Sequence, residues 1–354
     1  MSYALSRLER IYLQVMSQYG TIPNTSGTAT LAASNACRFI KCALDPDVAV
    51  IPRQDKTGTR SRTAGQAGRK FGKWSLEMSL APNGVAGTKP DCDPVLQGLF
   101  GQAGQVTTAT SGNGFPTGTD VTDGASAVKY ALSDSIVPFA LWSFRQPSTI
   151  DQRVGHGCSV DRAVFQLGQD GLATWSAEGE CKWVLSSNQF ANATTDMKAG
   201  LTSFPAEPSS PVTSGNGIVG FTGKVILNGT PLATIRTANI TIGSGNQQVK
   251  DTFGSFHPSE IEGDQRNVST SFSLFEDDSA AFASLIQVAN EKTAITNVYQ
   301  LGTVPGSMVV IVVKGIQLVA PTREEQRRFI ANFPDSPASG SSVSAKDEVT
   351  IWFV

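Results

Sequence analysis

Histidine is nearly missing from this chain, with only His156 and His257 among 354 residues. That removes much of the usual apparatus for proton transfer near neutral pH and for ligating zinc or iron. Charge is scarce too. Asp, Glu, Lys and Arg make 16% of the sequence, against roughly a quarter in an average soluble domain. The net charge of -2 predicts neither bulk attraction to nucleic acid nor a strongly acidic partner surface. The five cysteines (Cys37, Cys42, Cys92, Cys158, Cys181) include no CxxC pair. Their odd number and scatter argue against a disulfide framework or a structural zinc site, and small buried hydrophobes are expected. No run approaches the ~18 apolar residues that span a membrane as a helix. The opening MSYALSRLERIYLQVM has no uninterrupted apolar core and no cleavage signal, so a signal peptide is not expected. A reducing cytoplasm is the expected place of synthesis or assembly. The sequons at Asn24, Asn192, Asn228, Asn239 and Asn267 then carry no meaning.

What is abundant is glycine (34 residues), with Ser and Thr conspicuous throughout. Small polar residues at low charge suit strands, turns and large contact surfaces. The length fits one large domain or two ordinary ones. Residues 3–19 place Leu5, Leu8, Ile11, Tyr12, Val15, Met16 and Tyr19 at helical spacing before Gly20; a strand from Ile11 competes with that helix. CRFIKCAL is expected as a strand, followed by VAVIP. Arg53–Lys73 then holds seven basic residues, among them Arg53, Lys56, Arg60, Arg62, Arg69 and Lys70, against one Asp. A loop so long is uncommon unless functional. Phosphate binding is one reading; a solvated loop or hairpin arm that orders against a neighbouring subunit is the favoured one. Its end leads into a strand where Trp74, Leu76, Met78 and Leu80 alternate with polar residues.

Asp93 and Pro94 read as N-cap and N1 of a short helix, PVLQGLF. Residues 101–127 read as loop and Ser135–Arg145 as a strand. Residues 154–187 read as a meander with a hairpin turn at Asp170-Gly171. Residues 188–217 read as a polar loop. Asn228-Gly229 is a strong hairpin signal, and Ile235–Ile242 another strand. From Gly254 to Asp278 the chain concentrates charge and pattern: a loop with His257 and Glu260, a polar turn at Glu262-Gly263-Asp264, then Val268, Thr270, Phe272 and Leu274 alternating with serines. Ser279–Asn290 reads as a helix and Met308–Val319 as a buried strand. Thr322–Ile330 is expected as a short helix, 331–345 as a Pro/Ser/Gly linker, and EVTIWFV as a last strand.

Catalytic patterns fail on inspection. GHGCSVD around His156 and Cys158 lacks the second glycine of a nucleophile elbow and a third orienting group. Gly215-Asn216-Gly217-Ile218-Val219-Gly220 fits the dinucleotide pattern but opens a strand, not a helix. Asp91 and Asp93, and Asp120 and Asp123, lack a calcium-loop pattern. Glu276-Asp277-Asp278 suits the N-terminus of the following helix. No catalytic, cofactor or metal site is expected. Trp74, Trp175 and Trp183 leave a sugar platform open, with core packing favoured. A faint echo links Lys73-Trp74-Ser75-Leu76-Glu77, Thr174-Trp175-Ser176-Ala177-Glu178 and Ser271–Phe275, hinting at internal duplication.

In their order, several segments resemble the major tail tube proteins of long-tailed bacteriophages, in the longer form of that family. They are YLQVMSQYGTIP, Arg60 to Glu77 with its Gly-x-Trp strand, DPVLQGLFG, GCSVDRAVFQLGQDGLATWSAEGE, and ANITIGSGN with FHPSEIEGDQRNVSTSFSLFEDD. The family's Gly-x-Arg-x-Val turn stands here with one extra residue, as Gly263-Asp264-Gln265-Arg266-Asn267-Val268. The resemblance covers about residues 10–320. It implies a mainly β fold, a β-sandwich or barrel with one or two short helices, whose sheets continue between subunits into a ring.

Rings of six copies, or of three if the halves 1–150 and 151–320 are duplicates, would stack into a hollow tube. Residues 1–320 would be the tube domain and 321–354 a C-terminal extension. The implied partners are other copies and tail proteins such as tape measure, terminator and tip. Double-stranded DNA would pass without specific binding, and no membrane or cofactor is involved. The implied location is the virion. Because DNA must slide, a neutral or acidic lumen is expected. The basic residues Arg53, Lys56, Arg60, Arg62, Arg69 and Lys70 would face a ring-to-ring contact, and Glu260, Glu262, Asp264 and Arg266 a contact between subunits. Another phage structural protein, or a carbohydrate-binding β-sandwich, is the alternative.

Overall fold

Antiparallel strands dominate, in two main sheets that share one core. The computed structural model describes residues 6–53, 64–146, 148, 150–168, 171–208, 217–219, 222–232, 234–325, 327–342 and 344–354. The smaller sheet has five strands in the order Trp183–Ser186, Arg153–Cys158, Phe139–Phe144, Arg10–Val15 and Ala36–Cys37. The larger starts at the edge strand Lys41–Ile51. It runs through Gln66–Ser79, Thr174–Cys181, Arg162–Gly168, Ile235–Gly243, Asn267–Phe275 and Phe329–Ala338.

There the large sheet forks. Phe329–Ala338 takes Thr322–Glu325 on its far edge and meets Val309–Gln317 through one pair, Ile316 with Ala338. Val309–Gln317 opens a second wing. On one side of it lie Ala294–Leu301, Lys224–Leu227 and Thr230–Leu232; on the other lie Val349–Phe353, Ala125–Ala131 and Gln105–Ala109.

Alternation decides which side chains fill the core. Asn267–Phe275 buries Val268, Thr270, Phe272 and Leu274. The Thr270 hydroxyl is satisfied there, 3.1 Å from the Asn239 carbonyl and 3.0 Å from the Tyr299 hydroxyl, so its burial carries no orphan donor. Phe272 stacks on Phe333 at 4.7 Å and Phe165 on Trp175 at 5.1 Å. Trp74 meets Phe139 edge-on at 5.2 Å, a contact that ties the two sheets together. In the second wing Val309, Ile311 and Val313 face this core, while Val310 and Val312 face another, with Trp352, Phe115 and Met308. Burial on both faces explains why that strand reads as a continuous apolar run.

Replacing Trp175 by Ala should cost about 3–5 kcal/mol of stability, the range for deleting a buried large aromatic. Trp175→Phe should cost about 1.5 kcal/mol or less, because most of the volume is kept. Urea denaturation checks both; equal losses would show that the ring Phe keeps at this position recovers nothing of the packing on Phe165.

Several expectations hold. Asn228 and Gly229, with φ of 50° and 77°, turn the hairpin between Lys224–Leu227 and Thr230–Leu232. Ser279 caps the helix Ala280–Glu291 by accepting the Phe282 amide at 3.2 Å. The helix Asp93–Phe100 forms, but its N-cap is Cys92. Asp93 instead accepts 2.6 Å bonds from the Tyr130 hydroxyl and the Gln97 amide.

Others are corrected. Residues 3–19 do not form one helix: a single 3-10 turn, Ser6–Leu8, precedes the strand Arg10–Val15. The expected loop 53–73 is shorter, since Gln66–Lys73 is already strand, paired with Asp45–Ile51. The expected loop 101–127 contains the strand Gln105–Ala109 and the start of Ala125–Ala131. The polar turn at Glu262-Gly263 is a short strand, Ile261–Gly263, paired with Asn246–Gln248. Thr322–Glu325 and Phe329–Ile330 are strand and not helix, and much of 331–345 is the strand Phe329–Ala338 rather than a linker. Residues 321–354 thus supply three strands to the sheet system. Asp170, Gly215, Asn216 and Gly220 lie outside the described residues, so the turn and glycine motif expected there are not described.

Candidate assembly surface

The outer face of the large sheet is set by register. One row across it reads Ser271, Asn239, Gln166, Thr174 and Ser79, each facing the next on the neighbouring strand. The next row reads Ser269, Thr241, Val164, Ser176, Glu77 and Lys41. A third reads Asn267, Gly243, Arg162, Glu178, Ser75 and Ala43. Short hydroxyl and amide side chains dominate, and the cations stand against carboxylates. Lys41 faces Glu77, Arg162 lies 4.0 Å from Glu178, and Lys73 lies 2.8 Å from Asp47. Toward one end Asp161, Glu178 and Glu180 gather. Burial, then the Glu178 and Glu180 charges, push the Asp161 carboxyl above its usual range, the sign of a locally negative potential.

The hairpin Lys41–Ile51 with Gln66–Ser79 extends past this face as an arm. Its inward residues end at Leu44 and, two past Trp74, at the buried Gly72; beyond them Val48, Val50 and Ile51 are exposed, at 38%, 69% and 56%. Charges on the described part of the arm beyond Asp47 are basic: Arg53, Arg69 and Lys70. The loop around residues 249–260 braces the arm. The Lys70 amide donates to the Phe256 carbonyl at 2.8 Å, Arg69 Nη2 to the Thr252 carbonyl at 3.0 Å, and Lys250 sits 3.9 Å from the centre of the Phe71 ring. The same loop leaves Phe253 and Phe256 in solvent, 102% and 69% exposed. Lys56, Arg60 and Arg62 lie outside the described residues.

The acidic stretch divides. Glu260, Glu262 and Asp264 are exposed on or beside the short hairpin Asn246–Gln248 with Ile261–Gly263. Arg266 is bound within its own chain: its Nη2 donates to Asp134 at 2.8 Å, and Lys346 holds the other oxygen of that carboxylate. Hydrogen bonding from Lys346 first, then the charges of Lys346 and Arg266, draws the Asp134 carboxyl below its usual range. Arg266 therefore braces the loop 133–136 against the sheet, a role its spacing does not reveal. The braces from loop 249–260 to the arm are equally hidden, because its contacts to residues 69–71 are long-range.

The residues weighed for chemistry are packed away. His156 is fully buried and faces Trp183 on the next strand. Burial, then the Lys182 charge, push its pKa down to about 3, so it stays neutral through the physiological range. Burial beside Cys181 pushes the Cys158 thiol well up, against thiolate formation. Trp74, Trp175 and Trp183 are all buried, which removes the sugar platform. Among the described residues no group of His, Cys, Asp and Glu is placed to hold a metal ion, and no helix is long and apolar enough to cross a membrane.

Fold and surface together define a mainly β chain with a polar, charge-balanced sheet face, long exposed edges and a projecting arm. No protein-family model matches the chain, and no curated protein matches it.

Proposed function

We propose that this chain is a structural subunit that polymerises as stacked rings into a hollow tube, like the phage tail tube proteins it resembles. The outer face of the large sheet carries the reading. A duct for a polyanion must neither hold it nor be blocked by bulk. Lysine or arginine free to reach phosphates would retain DNA through counterion release. Here Ser, Thr, Asn and Gln fill the cross-strand rows, and Lys41, Lys73 and Arg162 face acids.

Edges give the second support. The large sheet ends at Lys41–Ile51 on one side and, beyond the fork, at Thr322–Glu325, Thr230–Leu232 and Gln105–Ala109. Open edges are a liability in a monomer, and pairing them between copies around a closed ring removes it. Six copies would close the ring, or three if the two halves are equivalent. Tape measure, terminator and tip proteins would be its neighbours, and the virion its location.

Electron cryomicroscopy of the purified, concentrated protein tests this. The expected result is tubes with Ser271, Asn239, Gln166, Thr174 and Ser79 toward the hole. A persistent monomer, or tubes with this face outward, would overturn the proposal.

A further inference from the structure

We propose that Cys158 and Cys181 close into a cross-strand disulfide on oxidation, a covalent staple between the two main sheets. Cys158 ends the strand Arg153–Cys158 of the smaller sheet, and Cys181 ends Thr174–Cys181 of the larger. Both are fully buried in the shared core. The bond would form whether or not the chain builds a tube.

Backbone hydrogen bonds set the two cysteines face to face. The Ser159 amide donates to the Glu180 carbonyl at 2.9 Å, and the Lys182 amide donates to the His156 carbonyl at 3.0 Å. Between these bonds lie Gly157 and Cys158 on one segment and Cys181 alone on the other. Gly157, at φ 64°, takes the left-handed turn of a bulge's extra residue, which leaves Cys158 opposite Cys181. They occupy a position without ladder hydrogen bonds of its own, where facing Cα atoms come within about 4.5 Å. A disulfide spans Cα separations of about 4.4–6.8 Å.

The two sulfurs share one space. A Cβ on Gly155 would stand 3.3 Å from Cys158 Sγ and 3.4 Å from Cys181 Sγ. A Cβ on Gly72 would stand 2.4 Å from Cys181 Sγ. Glycine at both places keeps that space clear of other side chains. The Cys158 thiol donates to the Gly155 carbonyl at 3.3 Å, a weak bond that is lost when the sulfurs join.

The oxidant is a small disulfide such as oxidised glutathione. One cysteine, as thiolate, attacks it, expels a glutathione thiolate and becomes a mixed disulfide. The second cysteine, as thiolate, then displaces the other glutathione. The pair gives up two electrons and two protons, and both end on two molecules of reduced glutathione. Burial keeps the Cys158 thiol protonated, so exchange proceeds while this corner is open. The closed bond is then shielded from reductant by the same burial.

Full-length protein incubated with oxidised glutathione, in urea well below its unfolding midpoint, tests this. A parallel sample receives N-ethylmaleimide instead, and its labelling of Cys158 and Cys181 fixes the time needed to reach both thiols. Tryptic digestion without reductant should then yield residues 154–162 joined to residues 163–182, released from each other by reductant. Returned to urea-free buffer, the oxidised protein should melt a few degrees above the reduced one. C181A should show neither the cross-link nor the shift, and the wild-type measurements decide the matter even if that variant folds poorly. Two free thiols, stable glutathione adducts, or a bond from either cysteine to Cys37, Cys42 or Cys92 would overturn the proposal. So would a cross-linked protein that melts no higher than the reduced one.

Discussion

Lysines at Gln166, Ser176 and Ser271 together (Q166K/S176K/S271K) should turn an assembly that ignores duplex DNA into one that retains it. The three positions lie on different strands of the large sheet and point to its outer face. Each replaces a short polar side chain that is at least partly open to solvent, so each should change stability by about 0.5 kcal/mol or less. Their effect on DNA is far larger. Every phosphate neutralised adds about 0.9 to the slope of log K against log salt. Three added contacts per chain, multiplied around a ring, should raise affinity by ~10³ or more at low salt. Filter binding of short duplexes to assembled protein, across a salt series, gives the result. Tight, steeply salt-dependent binding by the unmodified protein would remove the case for a non-adhesive face. So would a triple variant that binds no better.

Cutting back the arm should abolish polymerisation while sparing the fold. Val48 and Lys70 face each other across the hairpin, so residues 49–69 can be replaced by Asn-Gly, a turn suited to a two-residue hairpin loop. Leu44, Gly72 and Trp74, on the inward side of the two strands, remain in place. The main core loses nothing, and the melting temperature should shift by only a few degrees. What disappears is part of an edge strand, an exposed apolar patch and the basic residues Arg53, Lys56, Arg60, Arg62 and Arg69. Sedimentation velocity should show monomer or small rings where the full chain gives long assemblies. Tubes of normal length from the shortened protein would rule out an arm-mediated junction.

Legibility in the sequence tracks how many faces of a strand are buried. Asn267–Phe275 has one buried face, so its alternation stands out in the residue pattern alone. Arg10–Val15 is buried on both: Ile11 and Leu13 enter the main core while Tyr12 enters a separate one with Trp142 and Phe144. Alternation vanishes there, and the remaining apolar spacing imitates a helix. Phe329–Ala338 is hidden by Pro334 and Pro337, which read as a linker. The sheet tolerates Pro334 through a bulge, while Pro337 faces Ser269 in the ladder. Thr270 faces Ser336 and Phe272 faces Phe333, which leaves Pro334 and Asp335 together opposite Ser271; a proline is admissible at such a point because the ladder is already broken. Ser336 repairs part of the loss by accepting the Val319 amide at 3.1 Å. Of the candidate surface, the basic composition of the arm is legible in the residues. The long-range braces to Phe256 and Thr252, and the Arg266–Asp134 pair, depend on contacts between distant segments that spacing does not encode.

The fork at Ile316 and Ala338 has a mechanical meaning. Gly315 and Gly340, at φ 70° and 69°, approach so closely there that a Cβ on Gly315 would stand 2.2 Å from the Gly340 carbonyl oxygen. The Ser339 and Gly340 amides stitch the corner to Gly315 and Lys314 at 3.1 Å. The backbone ladder between the two wings of the large sheet therefore narrows to a few residues, and the wings otherwise meet through the core that Val309, Ile311 and Val313 share with Phe272 and Phe333. If the first wing forms the wall of a duct, a bending load on the tube can be taken up by small rotations of the outer wing about that narrow ladder. The inner hydrogen-bond ladder then stays closed, so compliance and a smooth bore reside in different parts of one chain.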